Sequence, residues 1–425
     1  MESRLTPVWR IIAGRLLLIV CASAVCVYIW YAVRAYRAFR FSTKQDEISL
    51  KCAIALEPYN AAYHDLLGRN LLFVAQEPSL AVTAFKKAIE LNPYTSAYLL
   101  DLAQAYYGMG NEQENLASIR KAMTVDPRTP GVAWSAGNFF LVQGDIAAAL
   151  QQFATVLRSD PSLTAPVLSV CWRTLQDVHT IESILPPDPA VHLEFIKLLI
   201  SQGETVAAHS AWSTLMQLHR EFDYHQALFY VDGLIDLRDA ALAREAWNQL
   251  AAASSVLARY GTSGNLVVNS AFAEDILNAG FDWRYSPSTT ESVALDPSEV
   301  HSSGRSLLIS YSGSSADSGV YQYVPVDPDT RYTLSAWVKS DDLETANGPS
   351  VAAIDAFGNT IYAATDETIG NTPWHQVSKD FETDSATRMI VIRFVRNPGN
   401  TGIRGRFWVD DVNLRLASKQ KPTAG

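Results

Sequence analysis

Eight histidines and 44 acidic residues are the side chains of this 425-residue chain with the chemistry for acid–base or metal work. Their spacing gives them little to do together. His179, His192, His209, His219 and His225 stand singly in helical sequence, and His219 and Glu221 are too close in register to share a helical face. No His-Glu-x-x-His pair, nucleophile elbow or phosphate loop occurs. Cleaving a glycosyl bond would need two carboxylates fixed across a cleft, and no separate segment is left to build one. No catalytic residue is therefore assigned. The adjacent Asp410-Asp411, with Glu274 or Asp275, offers the oxygen ligands a structural calcium prefers, Asp410 and Glu274 being the pair named; a solvated turn is the plainer reading. No other cofactor is implied. The four cysteines show neither metal-ligand spacing nor a disulfide framework.

A different chemistry is written into Tyr332-Thr-Leu-Ser-Ala-Trp-Val-Lys339. Alternation puts Tyr332, Leu334, Ala336 and Val338 on one face, and Thr333, Ser335, Trp337 and Lys339 on the other. The second face joins an aromatic ring to hydroxyls. Tyr321 and Tyr323 are expected to extend it on one side, Arg393 on another, and Tyr285 to close one end. The competing arrangement turns Tyr321 and Tyr323 inward and Gln322 outward. Trp374 and Trp408 are assigned to the core or its rim.

The elements that must carry these residues announce themselves by period. Pro58, Pro93, Pro127 and Pro161 are separated by 35, 34 and 34 residues, the length of a two-helix unit. Ala81, Phe85 and Ala88 align with Asn115, Ile119 and Ala122, and with Ala149, Phe153 and Val156. Leu102, Ala103 and Tyr106 align with Ala136, Gly137 and Phe140, while Gly110 and Gly144 fall in the turns. These positions resemble the tetratricopeptide repeat, with Leu67-Gly68 one residue out of phase and Asn115 where a small residue is usual. One such hairpin cannot bury its apolar stripe alone, so neighbours stack and leave a groove, which the resemblance implies binds a protein segment. Beyond Pro161 the phase is lost through Pro186-Pro187-Asp188-Pro189. It resumes with Gly203, Ala208 and Trp212, echoed by Ala243 and Trp247. Residues 44–256 are expected to form one solenoid, with Lys44–Leu56 as the second helix of an incomplete leading repeat.

Ahead of it, Leu16–Val33 holds eighteen residues without a formal charge, close to the roughly 20 that cross a bilayer core of about 30 Å. A transmembrane helix is expected over 11–33, with Arg15 snorkelling and Tyr28, Trp30 and Tyr31 at the interface. Residues 1–10 are a short tail and 34–43 a basic juxtamembrane segment. The apolar stretch outruns the small residues Ala22-Ser23-Ala24, which favours an uncleaved anchor over a cleaved signal peptide. Arg4, Arg10 and Arg15 on one side oppose Arg34, Arg37, Arg40 and Lys44 on the other, so charge does not orient the span. The formal net charge is −10, and residues 1–44 contribute seven basic and one acidic side chain. The remainder is acidic enough to exclude nucleic acid as a natural partner.

After a linker at 257–264, short alternating segments separated by Gly, Pro, Ser, Asp and Asn mark an all-β sandwich over 265–417, followed by a tail at 418–425 expected to be disordered. Asn265-Leu266-Val-Val-Asn269-Ser-Ala-Phe272 with Gly280 and Trp283, Ser303-Gly304-Arg305-Ser306-Leu307, Val320–Val324 leading to Tyr332–Trp337, Pro373-Trp374-His375 leading to Phe381, and Phe407–Leu414 follow in order. Together they resemble carbohydrate-binding modules of families 4 and 9. The resemblance implies a galactose-binding-like jelly roll acting outside the cytoplasm. It also implies a site where aromatic rings stack on the CH face of a pyranose while amides and guanidinium groups bond its hydroxyls. The whole is expected to be a multidomain, membrane-anchored, non-catalytic adaptor: polysaccharide on Trp337, Tyr321, Tyr323, Tyr285, Arg393 and Ser335, a protein partner on the solenoid. The alternatives are a purely protein-binding scaffold and, third, a component acting on glycosyl bonds.

Overall fold

Helix-forming sequence with a buried small-residue stripe builds the first of two compact units, 1–186 and 187–425. The computed structural model describes residues 7–261, 264–286, 288–302, 304–314, 317–396 and 401–417. The expected disordered tail, the first six residues, linker residues 262 and 263, and Ser303 lie outside the described residues.

In the first unit the helices are α1 (Pro7–Ser42), α2 (Glu47–Leu56), α3 (Ala61–Phe73), α4 (Pro78–Leu91), α5 (Ser96–Gly108), α6 (Glu112–Val125), α7 (Pro130–Val142), α8 (Ile146–Ser159), α9 (Thr164–Leu175) and the short α10 (Val178–Glu182). Paired helices approach where one side lacks a side chain. A Cβ on Gly68 would come within 2.5 Å of the Phe85 ring, and one on Gly137 within 2.6 Å of Phe153. Asn115, in a position usually small, is buried, and its Nδ2 donates to the Ala103 carbonyl at 2.7 Å. The hairpin turns hold Gly110 and Gly144 at φ of 70° and 78°, a backbone conformation that glycine adopts without steric cost.

All but the last residue of the stretch 34–43, expected as a basic segment outside the repeats, instead forms the end of α1. Ala38 and Ser42 are buried there, and Ala38 and Phe41 pack with Ala53 and Tyr63. Small and apolar residues on one helical face are the physical reason, because they let the basic side chains Arg37 and Arg40 turn outward. The leading repeat is thereby complete: α1 supplies the missing first helix.

The second unit begins with α11 (Pro189–Ser201), α12 (Thr205–Gln217), α13 (Leu228–Asp236) and α14 (Ala240–Ala253). Its strands are β1 (Glu291–Asp296), β2 (Ser306–Ser314), β3 (Asp317–Pro325), β4 (Arg331–Thr345), β5 (Ser350–Asp355), β6 (Ile361–Ala364), β7 (Gly370–Glu382), β8 (Met389–Val395) and β9 (Gly402–Leu416). They form two antiparallel sheets, β1-β2-β9-β4-β7 and β3-β8-β5-β6. Tyr332, Leu334, Ala336 and Val338 join Trp283, Phe394 and Phe407 in the core between the sheets. The expected opening strand at 265–272 is irregular. It latches onto β9 through Leu266 N to Leu414 O and Val412 N to Ser270 O, and left-handed backbone at Asn269 and Phe272 keeps it out of the ladder.

Candidate functional site: two outer faces of the sandwich

The residues expected to share one face belong to two sheets. Trp337 and Ser335 lie on the outer side of β4, opposite Gln376 and Ser378 of β7. Tyr321 and Tyr323 lie on the outer side of β3, where Tyr321 stands directly opposite Arg393 of β8. The single continuous face is thus corrected to two, because β3 and β4, consecutive in sequence, pair in different sheets.

On the five-stranded side the connection between β1 and β2 folds over the sheet and is fastened by carboxylates. Asp410 is fully buried. One of its oxygens accepts the backbone N–H groups of His301 and Ser302 at 2.9 and 3.1 Å, and the other accepts that of Asp411 at 2.8 Å. Burial pushes the Asp410 carboxyl above its ordinary range, with the N–H donors opposing the shift. His301 Nδ1 meets Asp411 Oδ2 at 2.6 Å, and its ring stacks on Trp337 with centroids 3.8 Å apart and planes 15° from parallel. Trp374 stands edge-on to the same histidine. Trp408, opposite Lys339 on β4, is only 2% exposed, in keeping with its assignment to the core or its rim. Its indole N–H donates to Asp296 at 2.9 Å, and Lys339 and Arg406 lie 5.4 and 5.1 Å from its ring centroid. Glu299 of the same connection pairs with Lys339 at 2.6 Å.

The four-stranded side is built from smaller parts. Tyr321, Arg393, Ala352 and Ala364 follow one another across β3, β8, β5 and β6. Gln322 points inward, fully buried, with its amide bridging Val268 N at 3.0 Å and Val268 O at 2.9 Å. That satisfied amide forces its tyrosine neighbours outward, contrary to the competing inward arrangement. Tyr321 and Tyr323 meet edge to face at 5.5 Å, and Arg284 lies 5.4 Å from the Tyr323 ring centroid. Tyr285, expected to close one end of a site, packs against the sandwich core, with its backbone N–H on Asn278.

A joint to the helices adjoins this second face. Asp232 of α13 accepts the Gly280 N–H at 2.7 Å and pairs with Arg284. Gly280 has φ 58°, and a Cβ there would lie 2.4 Å from Trp247 of α14. Nearby, Asp282 is fully buried. One of its oxygens accepts Leu277 N–H at 2.7 Å, the other has no hydrogen-bond partner, and burial pushes its pKa up to about 7.

The calcium pair is not brought together. Among the described residues Asp410 converges with His301 and Asp411, an imidazole-bearing set unlike the oxygen cage calcium favours. Glu274 bonds Asn269 and lies 3.5 Å from Arg259, while Asp275 pairs with Arg305. The joint at Asp232 and the His301–Trp337 stack were both missed in the sequence. The histidine gave no signal as a singleton, whereas the conformational demand on Gly280 was at least marked by the residue type.

In the helical repeats of the first unit, Leu100, Gln104, Tyr107, Trp134, Asn138 and Phe139 line a groove of about 390 Å³ between α5 and α7. Its amides and rings suit an extended peptide.

Residues 264–399 match the family model of a carbohydrate binding domain, of the kind numbered 4 and 9. A curated relative, tetratricopeptide repeat protein 37 of Xenopus laevis, is 30% identical over 124 residues, which are 28% of this chain and 8% of its own length. The chain thus spans less than a tenth of that relative. Among solved structures, pilF of Pseudomonas aeruginosa is 20% identical over 52% of this chain and 89% of its own, with a TM-score of 0.28. A CBM4 structure is 16% identical over 36% of this chain and 99% of its own, with a TM-score of 0.28. The chain therefore joins one apolar N-terminal helix and a tetratricopeptide-like helical region to a C-terminal sandwich that matches a carbohydrate binding domain.

Proposed function

We propose that this protein is a membrane-anchored, non-catalytic adaptor. Its sandwich holds an envelope or exported polysaccharide, and its repeats hold a protein segment in the groove between α5 and α7. The observation that carries the sugar reading is the direct opposition of Tyr321 and Arg393 on the outer side of the β3–β8 pair, inside the segment that matches a carbohydrate binding domain. A tyrosine ring is a surface on which a pyranose stacks, and a guanidinium is a group that bonds sugar hydroxyls. Trp337 is reassigned to a supporting role, because His301 already occupies a face of its ring. The apolar stretch of α1 is exposed along its length, as a helix among lipid tails requires. In this reading the sandwich lies outside the cytoplasm, where an exported polysaccharide would be met.

Retention of the detergent-solubilised full chain on a panel of envelope polysaccharides tests the sugar reading. Binding to at least one glycan, lost in Tyr321→Ala, supports it; no binding by a folded chain removes it. Protease access to the C-terminus in intact cells tests the placement. A second reading, a scaffold binding only protein, is favoured by the Asp232–Arg284 and Trp247–Gly280 joint, which commits the loop beside the tyrosines to a helical neighbour. A chain that retains a protein partner and no glycan would select it.

A further inference from the structure

We infer that the inter-repeat turns of the first two helical hairpins form a second membrane-contact surface, seated in the interfacial layer of the bilayer around the span. The inference rests on the reading of α1 as a membrane anchor. From Gly14 to Val33 this helix has 20 residues, about 30 Å at 1.5 Å per residue. There is no spacer after it. Arg34, the first residue past the apolar stretch, donates to the carbonyl of Leu56, the last residue of α2, so the α2–α3 turn lies beside the end of the span. The opposite end of the repeat faces away, for Asn70 near the end of α3 donates to Gln45 O in the α1–α2 turn.

Two exposed aromatic rings stand at the near end. Tyr59 in the α2–α3 turn and Tyr94 in the α4–α5 turn are each 85% exposed. They occupy the same place in successive repeats, directly after Pro58 and Pro93. Tyr31 of the span, Arg34, Tyr59, Asn60 and Asn92 line one cavity of about 770 Å³, so both turns stand at the level of the span's own aromatic end. Amphipathic tyrosine rings partition to the headgroup layer. The exposed Arg37 and Arg40 on α1 supply charge for lipid phosphates. A tethered solenoid with these turns in the interface would stand upright on the membrane with its repeats fixed in orientation, rather than swinging on a linker.

The test uses the full chain in lipid nanodiscs, with Cys21, Cys26 and Cys52 replaced by serine. A single environment-sensitive fluorophore is attached at Tyr59→Cys, Tyr94→Cys or, as the far-end control, Val74→Cys, which is 75% exposed in the native chain. Quenching by lipids spin-labelled at the headgroup is expected to be at least threefold stronger at 59 and 94 than at 74. Equal quenching at all three positions, in a chain that stays with the bilayer through alkaline carbonate washing, would overturn the surface while leaving the anchor intact. Release of the chain by that wash would overturn both.

Discussion

The two outer faces of the sandwich divide the chemistry of the chain unevenly. The five-stranded face holds the tryptophans, but its own β1–β2 connection is fastened over them by Asp410, so that Trp337 stacks on His301 and Trp408 lies between Lys339 and Arg406. The four-stranded face carries Tyr321, Tyr323 and Arg393 among smaller side chains, beside the loop that Asp282 fastens. The contrast teaches that aromatic content alone does not locate a binding face; what matters is whether a ring's flat face is already stacked, as His301 stacks on Trp337, or is met only at its edge, as Tyr321 and Tyr323 meet each other. The two aspartates differ in the same way. Asp410 has N–H donors on both oxygens, whereas Asp282 is buried with one oxygen unpartnered.

The largest effect should follow from unfastening the closed face. Asp410→Ala leaves the backbone N–H groups of His301, Ser302 and Asp411 without their acceptor, at a cost of about 3–4 kcal/mol. Denaturant titration should show this, and acrylamide should quench tryptophan fluorescence more strongly as Trp337 is uncovered. A destabilisation under about 1 kcal/mol would show that the connection is not held by this carboxylate.

Asp282 should give the next largest effect, through pH. Its folded-state pKa is raised from 3.8 to about 7, so the folded chain binds more protons than the unfolded chain between those values. Stability should therefore fall as pH rises from about 4 to about 7 and level off above, by a few kcal/mol. Asp282→Asn should flatten the profile and leave the variant more stable than the parent at pH 8. Equal thermal stability of the parent at pH 5 and 8 would show that Asp282 is not held protonated by burial.

On binding, Tyr321→Ala should weaken polysaccharide retention by about 1–3 kcal/mol and Arg393→Ala by a similar amount. Trp337→Ala, whose ring is already stacked, should change retention by less than about 0.5 kcal/mol. The opposite ranking in affinity electrophoresis would move the site to the five-stranded face and require the connection to open.

Much of this was legible in one dimension. The prolines spaced by 34 or 35 residues and the inward alternation of Tyr332, Leu334, Ala336 and Val338 both reappear as expected, because helical and strand periods are local properties of the backbone. Local reasoning also misplaced features. The basic residues at 34–43 masked a helical face formed by Ala38 and Ser42. Asn269 and Phe272 turn the chain out of the strand that the opening segment suggested. Tyr321, Tyr323 and Trp337 were joined because they are near in sequence, and the ladder separates them.

The amino-acid sequence alone determined an apolar leading helix, a two-helix repeat and an alternating β domain, since each is a periodicity that neighbouring residues enforce on one another. Only the tertiary structure decided which sheet each strand joins, which ring His301 covers and which carbonyl Arg34 reaches. The Arg34 and His301 contacts join residues 22 and 110 positions apart, where free energy depends on complementary surfaces meeting in space and no local period records it.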